Sequence, residues 1–209
     1  MRQTAGTTVS QNGKAVRDDT EDANADDLAD IDKVLAGDRH AFTPLVMRHG
    51  PAIAKQMRHY SDDPRAIDEL TNDVFVEAYL GLAGFRRLAP FRHWLARIAT
   101  RTGYKHWKSL DRSRKQIPLD EVAEHAAPEE ECTPESAANM VYDLLAELPD
   151  DDRLVLTLMY LEDCGHREIA ARMGWNPAVV AMRVLRAKRK LRKIGKSEKW
   201  RQRLAWIQS

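Results

Sequence analysis

Two stretches of the sequence carry cations at helical spacing, and the chemistry open to them is polyanion binding. In "WNPAVVAMRVLRAKRKLRKIGK", residues 175–196, Arg183, Arg186, Lys190 and Lys193 recur every three or four residues. Val180, Val184, Ala187, Leu191 and Ile194 recur at the same interval on another side. On a helix of 3.6 residues per turn this separates an apolar stripe facing a core from a basic stripe facing phosphates or guanine edges. In residues 91–109, Arg97, Arg101, Lys105 and Lys108 step by four, four and three, with Tyr104, His106 and Trp107 interleaved. Cations with interleaved aromatics suit single-stranded nucleic acid, whose bases stack while its phosphates pair. A solvated basic face over core aromatics gives the same patterns, and for one basic helix alone that plainer reading is favoured.

Bond-making chemistry has little to work with. No HExxH, P-loop or GxSxG motif occurs, so no catalytic residue, cofactor or small-molecule substrate is expected. Cys164 and His166 supply at most two metal ligands, and no second pair has matching spacing, so no metal site is expected. The other cysteine is Cys132, and two thiols fit a reducing cytoplasm better than a disulfide framework. No apolar run is long enough for a membrane span, and the N-terminus lacks the apolar region of a secretory signal. A cytoplasmic protein is expected.

These cationic helices need a scaffold, and the charge pattern outlines one. The net charge of +1 conceals segregation. Residues 84–116 carry ten Lys/Arg against Asp111, residues 118–151 carry eleven acids and no Lys or Arg, and residues 183–203 carry eleven Lys/Arg against Glu198. Two basic blocks on either side of an acidic one suggest two polyanion-binding modules on a tether. The expected fold is all-α, with two small helical domains joined by a flexible acidic linker. Residues 1–27 read as a disordered tail, 28–112 as the first domain, 113–136 as the linker, 137–196 as the second domain and 197–209 as a C-terminal extension. A flexible linker of that length spans about 27 Å r.m.s. and roughly 80 Å when stretched.

Local signals set the helices. Asp63-Pro64 and Asn176-Pro177 each read as an N-cap followed by Pro at the first helical position. Asp150 reads as a further N-cap. A kink is expected near Gly50-Pro51. A short helix over 166–173, a turn at Gly174-Trp175 and the long basic helix make a helix-turn-helix pattern. Trp200, Leu204 and Ile207 give an i, i+4, i+7 stripe that suits either a short packed helix or an exposed patch.

Three stretches in this order resemble an extracytoplasmic-function sigma factor: "DELTNDVFVEAYLGL", "FRHWLARIA" and "LPDDDRLVLTLMYLEDCGHREIAARMGW" with its basic follower. The resemblance covers roughly residues 28–195. It implies a sigma region 2 helical bundle that docks on core RNA polymerase and helps open promoter DNA. It also implies a sigma region 4 helix-turn-helix that reads an upstream promoter element. An anti-sigma factor is implied as a further partner.

By that resemblance, Asp68, Glu69, Asn72 and Asp73 dock on the polymerase. The loop carrying Phe85, Arg86, Arg87 and Leu88 would capture a flipped base, with Phe85 or Leu88 replacing its lost stacking. Arg97, Arg101, Tyr104, Lys105, Trp107 and Lys108 would hold the melted strand. Arg167, Ala178, Met182, Arg183, Arg186 and Lys190 would meet the upstream element. Two departures from the family pattern stand out. Arg101 and Lys105 replace an Asn and an Asp usual in relatives. Ala178, Val179, Ala181 and Met182 replace polar residues near the start of the recognition helix; they cannot donate to base edges but can touch thymine methyl groups. The rival expectation is a helix-turn-helix regulator that binds DNA without initiating transcription.

Overall fold

A computed structural model describes residues 12–116 and 134–205, and among them every regular element is helical. The first domain holds α1 (Asn12–Leu35), α2 (Phe42–Met57), α3 (Pro64–Gly81) and α4 (Phe91–Gln116), with 3-10 turns at Arg39–Ala41 and Leu82–Gly84. The second holds α5 (Pro134–Ala146), α6 (Asp150–Tyr160), α7 (His166–Met173), α8 (Pro177–Gly195) and α9 (Glu198–Ala205). The linker expected over 113–136 lies largely outside the described residues; α4 takes in its first residues and α5 its last.

Caps account for several boundaries. The Asp63 carboxylate accepts from the Arg65 amide at 3.0 Å, and Pro64 occupies the first turn, as the sequence predicts. Asn176 caps α8 in the same way, accepting from the Ala178 amide at 2.8 Å. At α6 the cap is Pro149 rather than Asp150; Asp150, Asp151 and Asp152 all fall inside the first turn, where their charge complements the helix dipole. Pro51 sits inside α2, which runs through it as one helix.

Of the tail expected over 1–27, residues 1–11 lie outside the described residues, and from Asn12 onward the chain is in α1 instead. Its partners are polar and therefore left no apolar periodicity to read. Asp27 is buried and receives Arg48 and His49 of α2, the latter at 2.9 Å. Asn24 Oδ1 accepts from the Phe91 amide at the start of α4 at 3.4 Å. A buried carboxylate holds its place only when paired, so these contacts fix α1 on the bundle.

Around this frame the buried apolar cluster gathers, in the first domain, Ile31, Leu45, Met57, Val74, Phe91 and Leu95. Gly103 sits in α4 where a Cβ would overlap the Tyr60 ring, so a poor helix former is required by close approach. The same buried cluster continues through the second domain in Leu148, Leu154, Leu158, Ile169, Val180 and Val184. Buried Trp200 brings α9 onto this domain, with Arg203 reaching Asp143 of α5 at 2.6 Å and Lys199 reaching Glu147 just past the end of α5 at 2.9 Å. The extension thus forms a helix over Glu198–Ala205 that packs through Trp200; Ile207 lies outside the described residues.

The two domains touch. α4 lies against α6 and α7. Gln56 Nε2 donates to Glu162 Oε2 at 3.1 Å and to Thr100 Oγ1 at 3.2 Å. Arg172 of α7 reaches Thr100 at 3.4 Å while pairing with Glu162 and, at 2.7 Å, with Glu168. His59 Nδ1 meets the Tyr142 hydroxyl at 2.9 Å. The tether therefore joins domains that are also held by a buried polar junction.

Candidate nucleic-acid interface

The helix-turn-helix is built by local chemistry. Gly174 takes φ +70°, a left-handed conformation that ends α7 and that L side chains rarely adopt. Val180, Val184 and Ala187 then turn into the core, as their spacing predicts.

The basic side of α8 is divided in a way the spacing did not reveal. Arg183 pairs with Asp151 and lies 4.5 Å from the centre of the Trp175 ring. Arg186 and Lys190 reach Asp152 at 3.0 and 2.7 Å. Asp152 is only 1% exposed, and a carboxylate so buried requires cations. These three residues, expected to face DNA, are thus engaged by the first turn of α6. Arg186 and Lys190 keep part of their surface in solvent, while Arg183 is more enclosed.

The fully outward face of α8 is a different one. Its first turns present Ala178, Val179, Ala181, Met182 and Leu185, and its later turns Lys188, Arg189, Arg192 and Lys193, all exposed. Arg167 is exposed on α7. Leu185 and Lys188 were not among the sequence candidates. The one signal that could have found them is the acidic triplet at 150–152, which claims the neighbouring cations.

In the first domain, Asp68, Glu69, Asn72 and Asp73 are all exposed on α3. Val76 and Leu80 extend that face as exposed apolar residues. An acidic surface ending in unpartnered apolar side chains is suited to a protein partner.

The 85–90 loop separates its residues by role. Phe85 packs on Phe91 and Trp94, with ring centres 5.7 and 5.3 Å apart, and anchors the loop. Leu88 stands at its tip, 88% exposed, and Arg86 is exposed beside it. Arg87 adopts φ +58° and pairs with Asp32 of α1. A positive φ is costly for a residue with a side chain and marks a loop held in a set shape.

On α4, Arg97, Arg101, Lys105 and Lys108 are exposed, with Lys105 Nζ 2.7 Å from Glu77 and Lys108 Nζ 4.8 Å from the centre of the Tyr104 ring. Two aromatics expected on this face are placed elsewhere. Trp107 is 3% exposed; its indole N–H donates to the Tyr60 carbonyl at 2.9 Å, and the Arg153 guanidinium of α6 lies 3.9 Å from its ring centre. It is a core residue, and a base cannot reach it in this arrangement. Tyr104 is half-buried, its hydroxyl donating to Asp151 of α6. Burial and then Asp151 raise its pKa above the ordinary phenol range. Burial works against the Asp151 carboxylate, yet hydrogen bonds from Tyr104 and Arg183 bring it below its usual value.

At the junction, burial raises the Glu162 carboxyl against the pull of Arg172 and Gln56. Cys164 is a buried free thiol whose pKa burial pushes up to about 12, so it is a poor nucleophile. Cys132 lies outside the described residues. Among the described residues no group of three His, Cys, Asp or Glu side chains could hold a metal, and no helix is long and apolar enough to cross a membrane.

The two helical modules match known ones in order. The Sigma-70 region 2 family covers residues 45–113, and the Sigma-70 region 4 family covers residues 138–191. Together they define a sigma-70 type initiation factor. The chain is 28% identical over 171 residues to the RNA polymerase sigma-H factor of Pseudomonas aeruginosa and, likewise, to the ECF RNA polymerase sigma-E factor of Escherichia coli K12. Each match covers 76% of this chain and 88% of the relative. In fold it is similar to CnrH, solved with the cytosolic domain of CnrY, at a TM-score of 0.57 and 24% identity over 83% of this chain and 99% of that one. It is also similar to the sigma factor RpoE solved with the anti-sigma factor NepR from Bartonella quintana, at 0.53 and 19% over 75% and 98%. The chain belongs to the extracytoplasmic-function family of sigma factors, and its role is in transcription initiation.

Proposed function

We propose that the chain docks on core RNA polymerase through the α3 face at Asp68, Glu69, Asn72 and Asp73, extended by Val76 and Leu80. The helix-turn-helix of α7 and α8 steers the complex to an upstream promoter element. The exposed cations of α4, with Arg86 and Leu88 of the 85–90 loop, hold the melted strand. The mechanism is binding throughout, without bond chemistry, and its setting is the cytoplasm.

The observation that carries this reading is the presence of both sigma modules in one chain, each with an exposed face suited to its part. The domains part when the chain engages polymerase, because Asp151 and Arg153 of the second domain cover Tyr104 and Trp107 of the first. An anti-sigma factor is a fitting regulator, since one of the similar folds was solved with one.

The test is reconstitution. The purified chain is mixed with core polymerase and a genomic-fragment library, and the transcripts are sequenced. Discrete start sites that depend on the chain are expected. Glu69→Ala with Asp73→Ala should lose polymerase binding while keeping the helical circular dichroism of the parent. Polymerase binding without start sites would leave a DNA-binding regulator instead, and no polymerase binding would remove the α3 role.

A further inference from the structure

We infer that this chain reads its upstream element through thymine methyl groups, with Val179, Met182 and Leu185 as the specificity-determining residues. The inference rests on the reading of α7 and α8 as a DNA-docking helix-turn-helix. It names what that site recognises.

Val179, Met182 and Leu185 are 42%, 72% and 61% exposed. At 100° per residue, successive members of this series lie 60° apart, so they form a continuous strip along the first turns of α8. Ala178 and Ala181 flank it, also exposed. In a helix-turn-helix the first turns of the second helix are the part that meets base edges. None of these five side chains donates a hydrogen bond, and the Met182 sulfur is the one acceptor among them and a weak one, so a guanine, cytosine or adenine edge gains little from them. The major-groove feature that apolar atoms match is the C5-methyl of thymine.

Neighbouring charges select duplex DNA over a protein or a lipid surface as the occupant. Lys188, Arg189 and Arg192 follow the strip within two turns and are exposed, so the apolar end can enter the groove while the basic end lies along the phosphates. Of the cations that sequence spacing favoured for base contacts, Arg183 is the most enclosed, while Arg186 and Lys190 are engaged on one side and keep part of their surface in solvent. Arg183 pairs with Asp151, and Arg186 and Lys190 pair with Asp152. Phosphate attraction thus comes from Lys188, Arg189 and Arg192 with the free surface of Arg186 and Lys190, and the apolar strip adds a readout of methyl groups that these cations cannot supply.

The experiment uses the full chain with core polymerase and a duplex library randomised across the upstream region. Recovered sites should be thymine-rich on the face protected by the second domain. Selected sites are then rebuilt with deoxyuridine for thymidine, one position at a time, which removes only the methyl. Each contacted position should weaken binding about fourfold, the worth of one buried methyl group. Met182→Ala should abolish the penalty at its own position without altering the others. Met182 is highly exposed, so an unchanged melting temperature certifies the fold.

If upstream protection occurs but deoxyuridine has no effect, the methyl inference is overturned while the helix-turn-helix reading stands. If no upstream protection occurs with polymerase bound, the DNA-docking reading itself fails. If Met182→Gln leaves both protection and deoxyuridine sensitivity unchanged, the strip belongs to a protein partner and the inference is again overturned.

Discussion

Replacing Gln56 with Leu should shift the free chain from domains packed to domains apart. Gln56 is 9% exposed, and its amide nitrogen is the direct donor from α2 of the first domain to Glu162 of the second. A hydrogen bond to a charged group contributes about 1.5–3 kcal/mol. Removing this one should raise the ratio of open to packed chain by about ten- to a hundredfold. The first domain should survive, because the Thr100 hydroxyl also donates to the Ala96 carbonyl at 2.9 Å and keeps that bond. Single-molecule energy transfer between dyes at Arg65 and Lys196, both exposed and in different domains, reads the ratio directly. Gln56→Glu should act more strongly, since it sets a second carboxylate against Glu162. Acidification should reverse that larger effect, because the Glu162 carboxyl is already raised by burial and takes up a proton early. Distance distributions for both variants that superimpose on the parent would refute the reasoning. They would mean that the Gln56–Glu162 contact contributes nothing to domain packing.

Three further outcomes are expected. Arg172→Met should lower the stability of the second domain by about 3–5 kcal/mol, because it leaves Glu162 buried without its cation; thermal melting by circular dichroism checks it. Gly103→Ala should destabilise the first domain despite a gain of about 1 kcal/mol in helix propensity, because overpacking against the Tyr60 ring costs about 1–3 kcal/mol; a raised melting temperature would contradict this. Domain packing should weaken as pH falls. Burial, then Lys55, depresses His59 below its ordinary 6.5, so the open chain binds the proton more readily. This contribution is complete above 6.5 and is lost as pH drops from there through the depressed value. The energy-transfer signal should follow that window and flatten in His59→Gln.

The sequence by itself determined the helices and their order. Caps such as Asp63-Pro64 and Asn176-Pro177 depend on a few adjacent residues, and the core stripe of α8 depends only on helical period, so both are legible in one dimension. Charge segregation and motif order were enough to point to the family. Tertiary structure decided which side chains remain available. Arg183, Arg186 and Lys190 have the right spacing to face DNA, but acids at 151 and 152 on another helix claim them, and no local pattern encodes that pairing. Trp107 looked like a stacking platform until Tyr60 and Arg153 enclosed it. The start of α1 was missed for a related reason, since buried Asp27 is held by Arg48 and His49 and looks like any solvated acid in a polar run. Helical period assigns a residue to a side of its own helix. Whether that side meets solvent, a counter-charge or a ring depends on residues distant in sequence, and only the packed chain brings them together.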